Sequence, residues 1–280
     1  MPVINTNVNS INAQNSLAVN SRSLSTAMTQ LSTGKRINGA KDDSAGLAIS
    51  QTMTAQIRGL NQAVRNANDG ISLLQTADGA MIEQSNMMQR MRELAVQSAS
   101  DTVTSDQKTY LDNEFQALKT EITRIGTNTQ WNGKDLLTAT GGVGANGTYK
   151  FQVGSNASQT IDVAIGDASA VAGKLYAAIA ASDITDSTKA GAAITALDTA
   201  LGKANEQRAK IGAGINQLNY AADNLSNVSM NASESRSRII DTDYAAASTE
   251  LARTQIIQQA ATAMLAQANQ APQSVLALLK

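Results

Sequence analysis

The chain contains no cysteine and no histidine. Disulfides, thiol and imidazole nucleophiles and the usual zinc ligands are excluded together. Carboxylate, lysine or serine chemistry stays open in principle, but the commonest catalytic bases are missing. Aromatic residues are only 3% of the 280 positions. A thick core built on Phe, Tyr and Trp, each of which buries a large area, is therefore unavailable. Ala, Leu, Ile and Met suit close helix packing instead. An excess of either charge is absent too: 16% of residues are charged and the formal net charge is −1. No global basic field exists to hold nucleic acid or an anionic membrane. No apolar run reaches eighteen residues, so no membrane span is expected. The opening "MPVINTNVNSINAQNSLAVN" has no basic or continuous apolar region of the secretory kind. It does not read as a cleavable signal, so export would need another route.

Proline is confined to Pro2 and Pro272, which leaves the interior free of the strongest helix breaker. Apolar spacing uses that freedom. Met53, Ile57, Leu60, Val64, Ala67, Ile71 and Leu74 alternate steps of four and three, and Leu111, Phe115, Leu118, Ile122 and Ile125 do the same. A third run joins Ile194, Leu197, Leu201 and Ala204 to Ile211, Ile215, Leu218, Ala222 and Leu225, broken at Arg208. These are seams of period 3.5, the coiled-coil signature. The first can extend from Ser44 to Ser98, a rod of roughly 80 Å at the helical rise. Gly59, Gly70 and Gly79 interrupt it, each costing up to about 1 kcal/mol against Ala. Such a helix needs neighbours, and the other two seams supply them in an antiparallel bundle.

The middle of the chain, "WNGKDLLTATGGVGANGTYKFQVGSNASQTIDVAIGD", is rich in Gly and turn pairs. "TYKFQV" and "QTIDVAI" alternate around "GSNAS" and predict a β-hairpin. A short helix is expected over Ala168 to Ala181, with Asp186-Ser187 capping the next long one. The two ends are nearly uncharged: Arg22 alone in residues 1–34, and Glu250 and Arg253 alone in residues 244–279. Both still carry helical apolar spacing, through Leu17, Leu24, Met28 and Leu31 and through Leu251, Ile257, Met264, Leu265, Leu276 and Leu279. A monomer's surface helix normally has a charged face. These ends are suited to burial against each other, against other copies, or both.

The expected fold is mainly α: a long antiparallel coiled-coil bundle with a small β-hairpin region and paired N- and C-terminal helices. Five segments follow: 1–43, core helix and joint; 44–130, N-terminal bundle helices; 131–186, hairpin and variable region; 187–235, C-terminal bundle helix; and 236–280, C-terminal core helix.

Gly34-Lys35 in "LSTGKRINGAKDDSAGLAIS" fails as a phosphate loop. Position 29 is Thr, Arg36 follows the lysine, and the preceding segment is helical rather than a strand. Asp42 and Asp43 are adjacent, without calcium-loop spacing; they suit the N-terminus of the long helix, after the Asn38-Gly39 turn pair. Met81, Met87, Met88 and Met91 read as bundle filler. "QRMRELAVQ", Gln89 to Gln97, reads as a solvated helix face with Met91 and Leu94 leaning toward the core. Neither catalytic, cofactor nor metal residues emerge.

The same stretch, together with "INTNVNSINAQNSL", "NQAVRNANDGISLLQTADGAM" and "ESRSRIIDTDYAAASTELARTQIIQQAATAMLAQANQ", closely resembles bacterial flagellin. The likeness spans about the first 140 and last 95 residues, runs too long for periodicity alone to match. The resemblance implies a structural subunit that self-assembles into the extracellular flagellar filament for swimming motility, with no enzymatic activity. It implies terminal helices paired as coiled coils in the filament core, and type III export without signal cleavage. The implied partners are further copies of the chain, an export chaperone on the C-terminal helices, the filament cap, hook-junction proteins and the flagellin-sensing Toll-like receptor. Nucleic acid and membrane are not among them. The implied subunit interface comprises Leu17, Leu24, Met28, Leu31, Lys35, Arg36, Leu251, Ile257, Met264, Leu265, Leu276 and Leu279. Receptor contact would fall on Arg90, Leu94 and Glu114. Roughly fifty residues separate the two arms, too few for another domain of ordinary size. Without His, the H-E-x-x-H insert found in some members cannot exist here. A hook–filament junction protein, or an adhesin or glycan-binding role on the hairpin region, are the alternative readings.

Overall fold

The computed structural model describes residues 6–138, 147–168 and 176–277, with side chains described as far as residue 270. In order they form α1 (Val8–Thr33), α2 (Ser44–Ser98), α3 (Ser105–Asn128), β1 (Gln130–Trp131), β2 (Lys134–Asp135), β3 (Thr148–Gln152), β4 (Thr160–Ala164), α4 (Ala177–Ala180), α5 (Ser187–Ile240) and α6 (Tyr244–Ala277). The fold is mainly α, as the seams predict: α2 runs 55 residues and α5 runs 54. Two compact units divide it, Met1–Ile57 with Met230–Lys280, and Arg58–Ser229.

The second unit holds the main core. Its α2 and α5 segments are antiparallel: Asn61 accepts from the Ser229 hydroxyl at 2.8 Å, and Arg208 and Arg92 pair with Asp78 and Asp198, both at 2.8 Å. The Arg208 break in the third seam is thus an interhelical ion pair. Leu74, Met81, Met88, Met91 and Leu94 from α2 pack with Phe115 and Ile122 of α3 and Leu197, Ile211 and Leu218 of α5. The Met cluster is therefore bundle filler, as its spacing suggests. Thr104 and Gln107 close a reciprocal capping box at the start of α3. The buried Gln84 amide donates to the Ile122 and Ala168 carbonyls, both at 2.9 Å, tying α2 to α3 and to the segment after β4.

The expected hairpin is present as β3 and β4, paired from Thr148 with Ala164 to Gln152 with Thr160. A smaller hairpin, β1 with β2, precedes it around Asn132 and Gly133, both at positive φ. The Asn-Gly pair is the sequence signal for it. Of the expected helix over Ala168 to Ala181, the described part is α4, Ala177–Ala180; Ala168 is outside any helix, and residues 169–175 lie outside the described residues.

Two interruptions of the seams have a packing reason. A Cβ at Gly70 would meet the Phe151 ring at 2.8 Å, and one at Gly214 would meet Val163 at 2.7 Å. The hairpin lies against helix backbone where side chains are missing, so the helix-propensity cost is offset by close contact. Gly214→Leu should overpack this contact, cost about 1–3 kcal/mol, lower the thermal midpoint and speed proteolysis within β3–β4. Gly212→Ala, facing open space, should leave the midpoint unchanged or raise it.

Candidate functional site

The first unit has a different internal chemistry. Its buried apolar residues, among those described, are Ala27, Ile37, Ile57 and Ala247. The contact between α1 and α6 instead buries Ser10, Asn20 and Thr254. On α1 the inward positions are Ser10, Ala13, Leu17, Asn20, Leu24, Ala27 and Leu31, and on α6 they are Ala247, Leu251, Thr254, Gln258, Ala261, Leu265 and Ala268. Both are strict three–four seams, but more than half of each is polar or Ala. The Asn7 amide donates to the Ala268 carbonyl at 2.7 Å, the Ser10 hydroxyl to Asn269 Oδ1 at 2.8 Å, and the Asn20 amide to the Thr254 carbonyl at 2.8 Å. A polar group inside a seam accepts only a register that satisfies it. These bonds therefore set the antiparallel pairing.

The sequence-predicted interface residues separate into two groups. Leu17, Leu24, Leu31, Leu251 and Leu265 are half-buried in the seam within the chain. Met28 (56% exposed), Ile257 and Met264 (65% exposed) point outward. Val8, Ile11, Val19 and Ile256 join them on the outside. Ile257 and Met264 lie one heptad apart, so they share a face of α6. Leu276 lies within α6, but its side chain is outside the described residues, as is all of Leu279. Three hydroxyls of α1 are engaged by their own helix: Thr26, Thr29 and Thr33 donate to the carbonyls four residues back. The outside of α1 carries exposed Asn, Gln and Ser side chains but a single charge, Arg22. Asn7, Ser10, Asn20 and Thr254 escape a reading based on apolar spacing; the signal was their phase within the seam.

The joint is built from "TGKRINGAKDDS". Gly34 ends α1 in the left-handed conformation, φ 68°, and its N–H donates to the Gln30 carbonyl at 2.9 Å. Lys35 forms a single antiparallel bridge with Asp241, where the Arg36 N–H donates to the Ile240 carbonyl at 2.7 Å and the Thr242 N–H to the Gly34 carbonyl at 3.1 Å. The Arg36 guanidinium donates to the Ile239 carbonyl at 2.7 Å, so this side chain already has a partner within the chain; Lys35 remains exposed. Asp42 accepts from the N–H groups of Asn38 and Gly39 at 3.1 and 3.0 Å, and Asp43 caps α2 through the Gly46 N–H at 2.8 Å. Asp243 does the same for α6 through the Ala245 N–H at 2.9 Å. The two aspartates that resembled a metal pair are a turn brace and a helix cap. No group of three His, Cys, Asp or Glu that could hold a metal occurs among the described residues, and no described helix is long and apolar enough to cross a membrane.

The candidate receptor residues lie in the second unit. Arg90 donates to Glu114 of α3 at 3.0 Å and to Glu93 at 3.0 Å, all three exposed. The hydrogen bonds from Glu93 and then Glu114 raise the guanidinium above its ordinary pKa. Leu94 corrects the expectation: it is 1% exposed and belongs to the core with Met91 and Ala95. Helical phase decides this, because positions 91, 94, 95 and 98 face inward and 90 and 93 face outward.

Comparison with known proteins places these elements in context. Residues 4–141 match the bacterial flagellin N-terminal helical region, and residues 194–279 match the bacterial flagellin C-terminal helical region. The chain is 47% identical over 280 residues to the flagellin of Halalkalibacterium halodurans, covering 99% of this chain and 100% of that one. It is 40% identical over 291 residues to the flagellar filament 33 kDa core protein of Treponema phagedenis, covering 99% and 100%. The crystal structure of Bacillus cereus flagellin aligns at 33% identity with a TM-score of 0.49, covering 57% of this chain and 88% of that one. Matched at both helical ends and alike from end to end, the chain belongs to the bacterial flagellin family.

Proposed function

We infer that the chain is a structural subunit of the bacterial flagellar filament, assembled with other copies of itself outside the cell to serve swimming motility. The observation that supports this most is the terminal hairpin. Its own seam is satisfied by Asn20, Thr254 and small residues, while Met28, Ile256, Ile257 and Met264 face outward on almost uncharged helices. Such a face gains by burial against neighbours, and that burial offsets the entropy of ordering the ends. Lys35 and Lys41, exposed at the joint, are positioned for contacts between subunits, together with the outward apolar residues. Before assembly the same face needs cover. An export chaperone on α6 suits that need, as do type III export, hook-junction proteins below the first subunits and a cap at the growing tip.

Recognition by the flagellin-sensing Toll-like receptor is the finer proposal for the second unit. Its support is the exposed, preformed Arg90–Glu114 pair; Leu94 acts beneath it, holding α2 in place. No catalytic role is proposed, since the family is a structural one.

Purified full-length chain, concentrated with filament seeds, should form filaments visible by electron microscopy. A variant lacking residues 1–34 should form none, and equal behaviour of the two would overturn the assembly reading. In a receptor reporter assay on monomeric protein, Arg90→Ala should reduce potency about tenfold, on the scale of a hot-spot contact, with an unchanged melting midpoint. Leu94→Ala should instead lower the midpoint, at a cost of about 2–5 kcal/mol for an emptied core position.

A further inference from the structure

Nine methionines occur in the chain, and the fold sorts them. Met81, Met88 and Met91 are 0% exposed in the core of the second unit, and Met53 and Met87 are partly buried. Met28, Met230 and Met264 are 56%, 64% and 65% exposed, and all three lie in the first unit. Where a monomeric surface would carry charge, α1 and α6 place thioethers. Met28 and Met264 sit on the outward faces of α1 and α6, and Ile257 shares the face with Met264. A thioether is the softest nucleophile in a chain without cysteine, and its accessibility decides which methionine an oxidant meets first.

We propose that Met28, Met230 and Met264 are oxidation sites that control polymerisation: their sulfoxides stop the free subunit from assembling, and assembly in turn shields them. The inference deepens the filament reading and rests on it. In the step, the thioether sulfur attacks one oxygen of a peroxide. The S–O bond forms as the O–O bond breaks, the sulfur loses two electrons, and the peroxide is reduced to water (or to an alcohol from an alkyl peroxide). The product is a polar, chiral sulfoxide, for Met28 and Met264 on faces that would otherwise enter an apolar contact. Its oxygen must be desolvated there unless a donor is found, and beside Met28 the hydroxyls of Thr26, Thr29 and Thr33 are already bonded to their own helix, leaving those of Ser25 and Ser32. The buried Met81, Met88 and Met91 are out of reach, so the second unit stays folded while the assembly face changes. The mark is reversible by methionine sulfoxide reductases, one for each epimer.

The test treats monomeric full-length protein with hydrogen peroxide, maps sulfoxides by peptide mass spectrometry and measures seeded polymerisation. The expected result is sulfoxide first at Met28, Met230 and Met264, with unchanged circular dichroism. The critical concentration should rise roughly tenfold for each sulfoxide buried without a donor, and return after treatment with both reductase types. Preformed filaments given the same dose should show slower oxidation at these positions. The Met28→Leu, Met230→Leu, Met264→Leu variant, whatever its own critical concentration, should keep that value after peroxide. Normal polymerisation of protein fully oxidised at the three sites would overturn the proposal, as would equal peroxide sensitivity of the triple variant. If untreated protein fails to polymerise on seeds, the filament reading itself falls, and this proposal falls with it.

Discussion

The α1–α6 seam governs what the rest of the first unit can do. Asn20 on the Thr254 carbonyl, with Asn7 and Ser10 on the last turns of α6 described, satisfies the seam with hydrogen bonds rather than with bulk. A seam of small and polar residues buries little apolar area, so it contributes less than a Leu-rich one, but it tolerates one register. The consequence is outward: the large apolar side chains that the seam does not use stand on the far sides of the helices. In a soluble monomer such residues are an aggregation hazard. In a repeating assembly they are the contact surface.

The second unit follows the opposite rule. There most large apolar residues turn inward, with Leu74, Met81, Phe115, Ile122 and Leu197 fully buried, and the surface carries ion pairs such as Arg90–Glu114 and Arg92–Asp198. Exposed pairs of this kind add little stability. They keep the surface solvated, and they give a face on which a partner can read charge and shape. This core is built from second-unit residues alone.

Within the first unit the chain changes direction at paired joints. Gly34 and Asp43 on one strand of the joint, and Asp241 and Asp243 on the other, act by local backbone rules: a left-handed helix end, a single bridge and two N-caps. A Cβ at Gly34 would meet the Tyr244 hydroxyl at 3.0 Å, so the first helix end and the start of α6 are fitted to each other. Lys35 and Arg36, which first suggest a phosphate grip, work instead through their backbone groups and, for Arg36, through the Ile239 carbonyl.

The long seams, the β3–β4 hairpin, the missing charge at both ends and the capping role of Asp43, though not the turn brace of Asp42, were legible in the residues themselves. Each is a local or periodic property: a period of 3.5, an alternation of two, a side chain that caps its own helix. The likeness of the arms to a known family was legible for the same reason, since it lies in contiguous runs. Other features depend on which way a helix is turned and what lies across from it. Apolar spacing grouped Leu17 with Met28 and Leu265 with Met264, but only the pairing of α1 with α6 puts the leucines inward and the methionines outward. Leu94 belongs to the core beneath Arg90 because α3 and α5 close over that side of α2. Gly70 and Gly214 look like flaws in a helix until Phe151 and Val163 are seen against them. The sequence by itself determined the elements, since helices and turns arise from neighbours along the chain. Only the tertiary structure decided which apolar residues remain unburied, because burial depends on contacts between segments far apart in sequence.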